Sequence, residues 1–392
     1  MTARSASSLR VTILASSEPR PFALGKLLEH RLTAGLDPAA APTDDQVLAE
    51  QFELRVFSTA PPGDATTWLD QTLHSLVVVL LDEKIFQDLL PWLRATGQHL
   101  RQEPGRHALI AVPFNDDLKE RWAAEEILKR YQVLPWYTLG EEAERADKLA
   151  LRVLNSMVRL LATAVFRTPE WKLRVFLSHA KVDGLYLAQS VRHFIETQPW
   201  LEKFYDAEDI EPGLSWEDQL RHGVGSSIVL VLRTDAYDRR FWCRTEVRWA
   251  EHFGVPAVVV DARSGLAFPA SDLPFEGSQM VRVPDGNLPR IMFAVLRTAL
   301  QSMLFQRSVR QLRTEALLPE GNETVRLLPV VPGISAIVRA CDDLSDAPNE
   351  PRFVVYPDPP LRNGLLQAAQ VMAERVGARL LTPRQLREEA GP

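Results

Sequence analysis

The sequence predicts an α/β protein in which parallel sheets are covered by helices. Three observations predict it. Short β-branched runs alternate with helix-length stretches along most of the 392 residues. Several of those runs are apolar throughout, as strands buried on both faces are. The bulk composition, 46% apolar and 24% charged, is an ordinary globular mix with ample material for buried cores. At about 150 residues per domain, the length predicts two to three domains.

The elements fall into three blocks. Block one, residues 1–165, opens with a buried strand at 9–16 (LRVTILAS) and a helix around 22–32. A polar, Ala/Pro-rich loop at 35–45 leads to a strand at 52–57. A helix near 66–74, a strand at 76–81, a helix around 90–101 and a strand at 107–114 (HALIAVPF) follow. Block two, 172–305, repeats the rhythm with strands at 173–178, 203–205, 228–232 and 255–261. Its helices are expected at 185–197, from 216 to 222, at 240–252, and from 288 to about 312. Block three, 306–392, has strands at 325–331 and 352–356, a helix at 363–376, a strand at 378–381 and a charged tail. That block is marginal as an independent core and is expected to pack on its neighbours.

Composition excludes several function classes. A net charge of −6 and a pI near 5.8 argue against a general nucleic-acid or anionic-membrane binder. Two cysteines, Cys243 and Cys341, cannot build a disulfide framework or a cysteine-rich zinc site, so a reducing cytoplasm and no metal are expected. The apolar run at 11–15 is too short for a signal peptide, and the run at 76–81 is far below the ~20 residues of a bilayer span. Block two contains neither a GxxxxGK nor a GxGxxG phosphate loop.

Block two carries the informative motifs. VFLSHAKVDG (175–184) is a strand ending in a polar turn, and FYDAEDIEPGLSW (204–216) contains a Pro-Gly turn. IVLVLRTDAY (228–237) and FWCRTEVRWAEHFGVP (241–256) follow in order. Trp242 and Glu246, four apart on an expected helix, share one face. In a doubly wound sheet ligands bind beyond the carboxyl ends of the strands, where the 178–183 and 206–213 loops and the start of the 240–252 helix should gather. Together these segments resemble the Toll/interleukin-1 receptor (TIR) domain in its bacterial form. The opening box, the Pro-Gly loop and a Trp-Cys-x-x-Glu glutamate motif all stand in the family's order.

The resemblance implies a flavodoxin-like TIR domain, preceded by a second TIR-like α/β domain and followed by a small α/β domain. It implies NAD as substrate, with no separate cofactor, and Glu246 as the catalytic carboxylate engaging the ribose beside nicotinamide. Phe176, Ser178, His179, Asp206, Trp216 and Trp242 become substrate-binding candidates, and Asp209, Glu211, Pro212 and Gly213 candidates for gating the site or for assembly. One carboxylate suits the reaction. Glycosidases generally need a second to protonate the leaving group, whereas nicotinamide departs neutral from a pyridinium. A glutamate that stabilises the oxocarbenium-like charge can then act through preorganised electrostatics. Water gives ADP-ribose, and attack by the adenine end gives a cyclic product.

Each residue has a plainer reading beside the functional one. Glu246 can be a solvated carboxylate on an exposed helix face, and Trp242 a packing residue. Trp216 can stack on ligand or cover the Pro-Gly loop. Asp183, Asp206 and Asp209 have the character of turn or cap residues, and Cys243 that of a small packed side chain. Ser178 and His179 are adjacent on a strand and face opposite ways, against a Ser/His hydrolase. Glu211 stands where the family often has basic or small residues.

Block one parallels block two at near-constant offsets. Pro62-Gly63 matches Pro212-Gly213 at 150, Trp68 matches Trp216 at 148, and Trp92 matches Trp242 at 150. Block one is therefore expected to be a degenerate TIR-like domain, with Thr96 in the glutamate's place; two unrelated flavodoxin-like domains drifting into likeness is the other explanation. Functionally, the resemblance implies an NAD-cleaving effector or signal producer in anti-phage defence. Such domains self-associate and answer to an activating protein or nucleotide signal. A non-catalytic TIR scaffold is the alternative, and a nucleotide sensor a third.

Overall fold

The computed structural model describes residues 9–36, 52–166, 171–197, 218, 227–265, 273, 275, 278–321, 323–345, 351–358, 361 and 363–390. The chain divides into two compact units, Met1–Pro169 and Glu170–Pro392. Both are α/β with parallel sheets flanked by helices.

The first unit is built on one five-stranded sheet. Its strands are β1 (Leu9–Ala15), β2 (Glu53–Phe57), β3 (His74–Leu81), β4 (His107–Pro113) and the two-residue β5 (Gln132–Val133). All pairs are parallel and the order is β2-β1-β3-β4-β5, the flavodoxin-like arrangement. Ile13 lies beside Val78, and Val78 beside Ile110, with all three buried, which explains the uninterrupted apolar runs. Helices α1 (Pro19–Ala34), α2 (Ala65–Asp70), α3 (Glu83–Gln102), α4 (Asp116–Ala124) and α5 (Glu142–Phe166) accompany it.

Two helix boundaries differ from expectation. α3 begins at Glu83 rather than near 90, because the Asp82 carboxylate caps it, accepting from the Ile85 amide at 2.8 Å. Pro91 looks like a helix start in sequence, yet it sits inside α3, where it has no N–H to donate to the Gln87 carbonyl. α2 stops at Asp70 and His74 already opens β3, so the expected helix at 66–74 is shorter. α4 and α5 were not expected at all. α5 hides in sequence because Arg152 and Arg159 break its apolar run. It is long and apolar enough to cross a bilayer, but 67% of that stretch is buried, as in a core helix.

The second unit carries two sheets. The first is β6 (Arg174–His179), β7 (Ser227–Arg233), β8 (Ala257–Asp261) and β9 (Gln279–Arg282), parallel and in that order. This repeats the β1-β3-β4-β5 order of the first unit. α6 (Leu185–Glu196), α7 (Phe241–Phe253) and the 27-residue α8 (Leu288–Thr314) pack with it. The strand expected at 203–205 and, apart from Asp218, which is helical, the helix from 216 lie outside the described residues.

The other sheet is β10 (Val325–Leu327), β11 (Arg352–Val355) and β12 (Ala378–Leu381), with α9 (Ile334–Ser345), α10 (Asn363–Arg375) and α11 (Pro383–Ala390). Its residues alternate between two cores. Val354, Tyr356 and Leu380 join Ile337 and Ala369 on one face. Phe353, Val355 and Leu381 join Phe305, Val309 and Leu312 of α8 on the other. α8 thus runs through the boundary expected at 305 and serves both sheets. The expected strand at 325–331 ends at Leu327, ahead of Pro329 and Pro332, which have no amide to donate to a sheet. The expected charged tail is instead α11. Thr382 caps it, its hydroxyl accepting from the Gln385 amide at 3.3 Å while the Gln385 side chain accepts from the Thr382 amide at 2.9 Å.

Candidate active site

The carboxyl ends of β6 and β7 hold a linked set of polar side chains. Ser178, next to last in β6, is 1% exposed and lies beside Val231 of β7. Strand alternation turns Phe176 and Ser178 toward α7, and Leu177 and His179 the other way. The Ser178 hydroxyl donates to the carboxylate of Glu246, one turn into α7. The Tyr237 hydroxyl lies 2.5 Å from Ser178 Oγ and 3.5 Å from the Cys243 carbonyl. With the serine proton committed to Glu246, tyrosine is the donor to serine. The result is a relay, Tyr237 to Ser178 to Glu246, that fixes a half-buried carboxylate at the edge where α/β ligands bind.

Local structure explains the placement. A one-turn 3₁₀ helix, Tyr237–Arg239, drops the tyrosine ring into the core formed by Phe176, Val229, Val231, Val247 and Ala250. Asp183, in the turn after β6, holds the loop after β7. Its carboxylate accepts from Thr234 Oγ1 at 2.7 Å and the Ala236 amide at 2.9 Å. It therefore does more than cap a local turn. Arg233 pairs with Asp238 in the same loop. On the rim, fully buried Asp261 accepts from Arg263 at 2.7 Å and Arg282 at 3.0 Å. Burial works to raise its carboxyl, and the two guanidiniums outweigh it and hold the group below its usual range.

The electrostatics keep the relay's donor protonated. Burial, reinforced by the charge of Glu246, pushes the Tyr237 phenol well above its ordinary value against the pull of the Ser178 bond. Burial and the same charge push the Cys243 thiol up to about 12. Cys243 is a packed thiol, its sulfur 3.4 Å from the His179 carbonyl, and both cysteines are free and buried.

The structure brings Ser178, Tyr237 and Glu246 together. Phe176 is buried beneath them in the core, and His179 is buried beside Ser178 with its side chain on the opposite face. Trp242 turns out to solvent at 66% exposure, its ring 5.5 Å from that of Phe241, which is 72% exposed. Asp206, Asp209, Glu211, Pro212, Gly213 and Trp216 lie outside the described residues. Sequence reasoning passes over Tyr237, because an aromatic just after a buried strand reads as core. The only signal was its position at the end of the TDAY turn.

In the first unit, Ser16 follows β1 and its hydroxyl donates to Asp82, the cap of α3. Thr96, at the position matched to Glu246, is fully buried and uncharged, and Trp92 is buried where Trp242 is exposed. A cavity of about 570 Å³ in the second unit lies between α7 and α9, lined by Phe253, Phe275, Pro329 and Arg339 among others. None of Ser178, Tyr237 and Glu246 lines it.

The parallel sheet flanked by helices is consistent with the flavodoxin-like fold of TIR domains. A family model described as TIR domain matches residues 175–267, roughly a quarter of the chain and the segment that holds all three relay residues. No curated relative matches the chain. Among solved structures, an NADPH-dependent glyoxylate/hydroxypyruvate reductase from Sinorhizobium meliloti, in complex with citrate, aligns at 14% identity. That alignment covers 78% of this chain and 94% of the reductase, and its TM-score of 0.18 carries no argument about fold or function.

Proposed function

We propose that this TIR-domain protein is an NAD⁺ glycohydrolase or cyclase that cleaves the nicotinamide–ribose bond, with Glu246 as its catalytic carboxylate. The observation that carries the reading is the relay from Tyr237 through Ser178 to Glu246 within the matched segment. A glutamate held by a buried hydroxyl is preorganised and pays no reorganisation when charge develops on the ribose. Ser178 and Tyr237 are positioning residues in this scheme. Phe176 supports them from below, and the family resemblance alone assigns Trp216 to cradling the nicotinamide ribose and residues 206–213 to gating. Asp183 fixes the loops on either side.

Exposed Trp242, Phe241, Val182 and Tyr186, all near the carboxyl edge, support self-association of the TIR domain as part of activation. An activating protein or nucleotide signal, a cytoplasmic setting and a role in bacterial anti-phage defence complete the proposal. The same exposed aromatics favour a second reading, a non-catalytic TIR scaffold.

The test incubates concentrated protein with NAD⁺, with and without a crowding agent, and follows nicotinamide by chromatography beside Glu246→Ala. The expected result is release that falls about 10²–10³-fold in the variant, with the co-product separating hydrolysis from cyclisation. Equal behaviour of the two proteins in vitro, with Glu246→Ala fully functional in cells, would overturn the enzyme in favour of the scaffold.

A further inference from the structure

The first unit carries an unassigned cluster at the amino-terminal edge of its sheet, the edge opposite the one where α/β ligands bind. Asp70 ends α2, His99 lies in the last turn of α3, and His107 opens β4. His99 Nε2 is 3.2 Å from Asp70 Oδ1, and His107 Nε2 is 4.0 Å from the same oxygen. One donor atom from each residue lies within 4.8 Å of the other two. The two imidazole rings are 5.6 Å apart.

Burial makes this arrangement unusual. The His107 side chain is 0% exposed, and neither of its ring nitrogens has a hydrogen-bond partner. Folded proteins seldom leave buried polar atoms unsatisfied, and each exception calls for an explanation. His99 is also buried and directs Nε2 at the same carboxylate oxygen. Asp70, at 40% exposure, connects the cluster to solvent. Two imidazoles and a carboxylate, converging from three elements with an opening to water, form a ligand set.

We propose that Asp70, His99 and His107 bind one divalent transition-metal ion, best matched by zinc, that ties α2, α3 and β4 together. Zinc takes imidazole and carboxylate ligands at about 2.0–2.2 Å and has no electronic demand on geometry. Neighbouring ligand atoms in a tetrahedral site then stand roughly 3.3 Å apart. The 3.2 Å pair already meets this, and the 4.0 Å pair closes by a sub-ångström movement of the exposed carboxylate. Magnesium and calcium prefer all-oxygen sites, which the two imidazoles rule against. Water fills the fourth position.

Arg106 is the cluster's present counter-charge, its Nη1 3.0 Å from Asp70 Oδ1. The same nitrogen is 3.9 Å from Glu103, and the side chain is one-third exposed, so it has a second carboxylate to turn to when a cation enters. His74, at the start of β3, holds the backbone nearby, its Nδ1 3.0 Å from the Arg106 carbonyl.

The experiment strips the full chain with EDTA and titrates it with Zn(II) by calorimetry and with Co(II) by visible absorption. The expected result is one ion per chain, intense Co(II) ligand-field bands and a raised melting temperature. Asp70→Asn and His99→Ala should abolish the bands and weaken Zn(II) binding more than about 100-fold. If His107→Ala does not fold, the partly exposed Asp70→Asn carries the test. Absence of stoichiometric Zn(II) and Co(II) binding in the wild-type chain would overturn the site. Binding unchanged by both variants would overturn it equally, by assigning the ion to other groups.

Discussion

Glu246 is held in place by a tyrosine that never reaches solvent. The phenol of Tyr237 sits in the apolar core, and its one proton supports Ser178, which in turn supports the carboxylate. Removing that hydroxyl leaves the buried Ser178 with one partner fewer. Tyr237→Phe should cost about 1 kcal/mol, read as a lower urea midpoint at unchanged m-value. In the NAD⁺ assay the same variant should lower kcat and leave KM nearly unchanged, because it disturbs the orientation of Glu246 rather than ground-state binding. An unaltered kcat would show that Ser178 alone fixes the carboxylate. At this scale the sequence was informative where a motif spans few residues. Ser178 lies near the end of one strand and Glu246 on one helix, so their meeting at the carboxyl edge could be read, whereas Trp242, expected on the same face as Glu246, turns out to solvent. Tyr237 could not, since its hydroxyl matters only once β7 places it beside Ser178. The Asp70, His99 and His107 cluster was invisible because its members come from three elements with no ligand spacing between them.

Among the elements, strands were legible and several helices were not. After their first one or two residues β3 and β4 are apolar without a break, because helices cover both faces. α5 and α9 were missed for a different reason. Their apolar stripes are interrupted by arginines and aspartates, some of them, such as Arg339, turned toward a neighbouring helix, and only tertiary packing shows which side is buried. α3 shows how packing overrides propensity at one position. Gly97 lies within it, where alanine would ordinarily gain about 1 kcal/mol of helix propensity. A Cβ there would stand 2.6 Å from Ile127 Cγ2 and 3.1 Å from Tyr131 Cε2, so the β-branched Ile127 would have to shift. Overpacking of this kind typically costs 1–3 kcal/mol, so the clash prevails. Gly97→Ala should lower the melting temperature, measured by circular dichroism; an increase would mean that the segment from Ile127 to Tyr131 moves away freely.

At the scale of the whole molecule, the two units share a strand order, which a repeat and two unrelated flavodoxin-like domains would show alike. β6-β7-β8-β9 follows the order of β1-β3-β4-β5, and both units set a serine near the carboxyl end of the leading strand against a carboxylate. Only the second unit takes that carboxylate from the helix that follows. The small third sheet is part of the second unit and shares α8 with the TIR sheet. A chain ended at residue 320 would uncover Phe305, Val309, Leu312 and Leu318. At roughly 1.5–3 kcal/mol per buried side chain, their exposure forfeits an amount comparable with the whole stability of a domain. The truncated chain should aggregate or bind a hydrophobic dye. A monomeric product with a cooperative melt would show that the TIR sheet stands without the third.

The shared helix also has a mechanical meaning. Twenty-seven residues at 1.5 Å each make a rod about 40 Å long, with one sheet clamped to each half and no joint between them. A second clamp, in which Glu251 of α7 accepts from Ser335 and Arg339 of α9, fastens the Glu246 helix to the same small sheet. The three-stranded sheet is therefore joined to the Glu246 sheet at two places, through α8 and through Glu251. A chain lacking the small sheet would lose the partners of Glu251 along with the cover of α8.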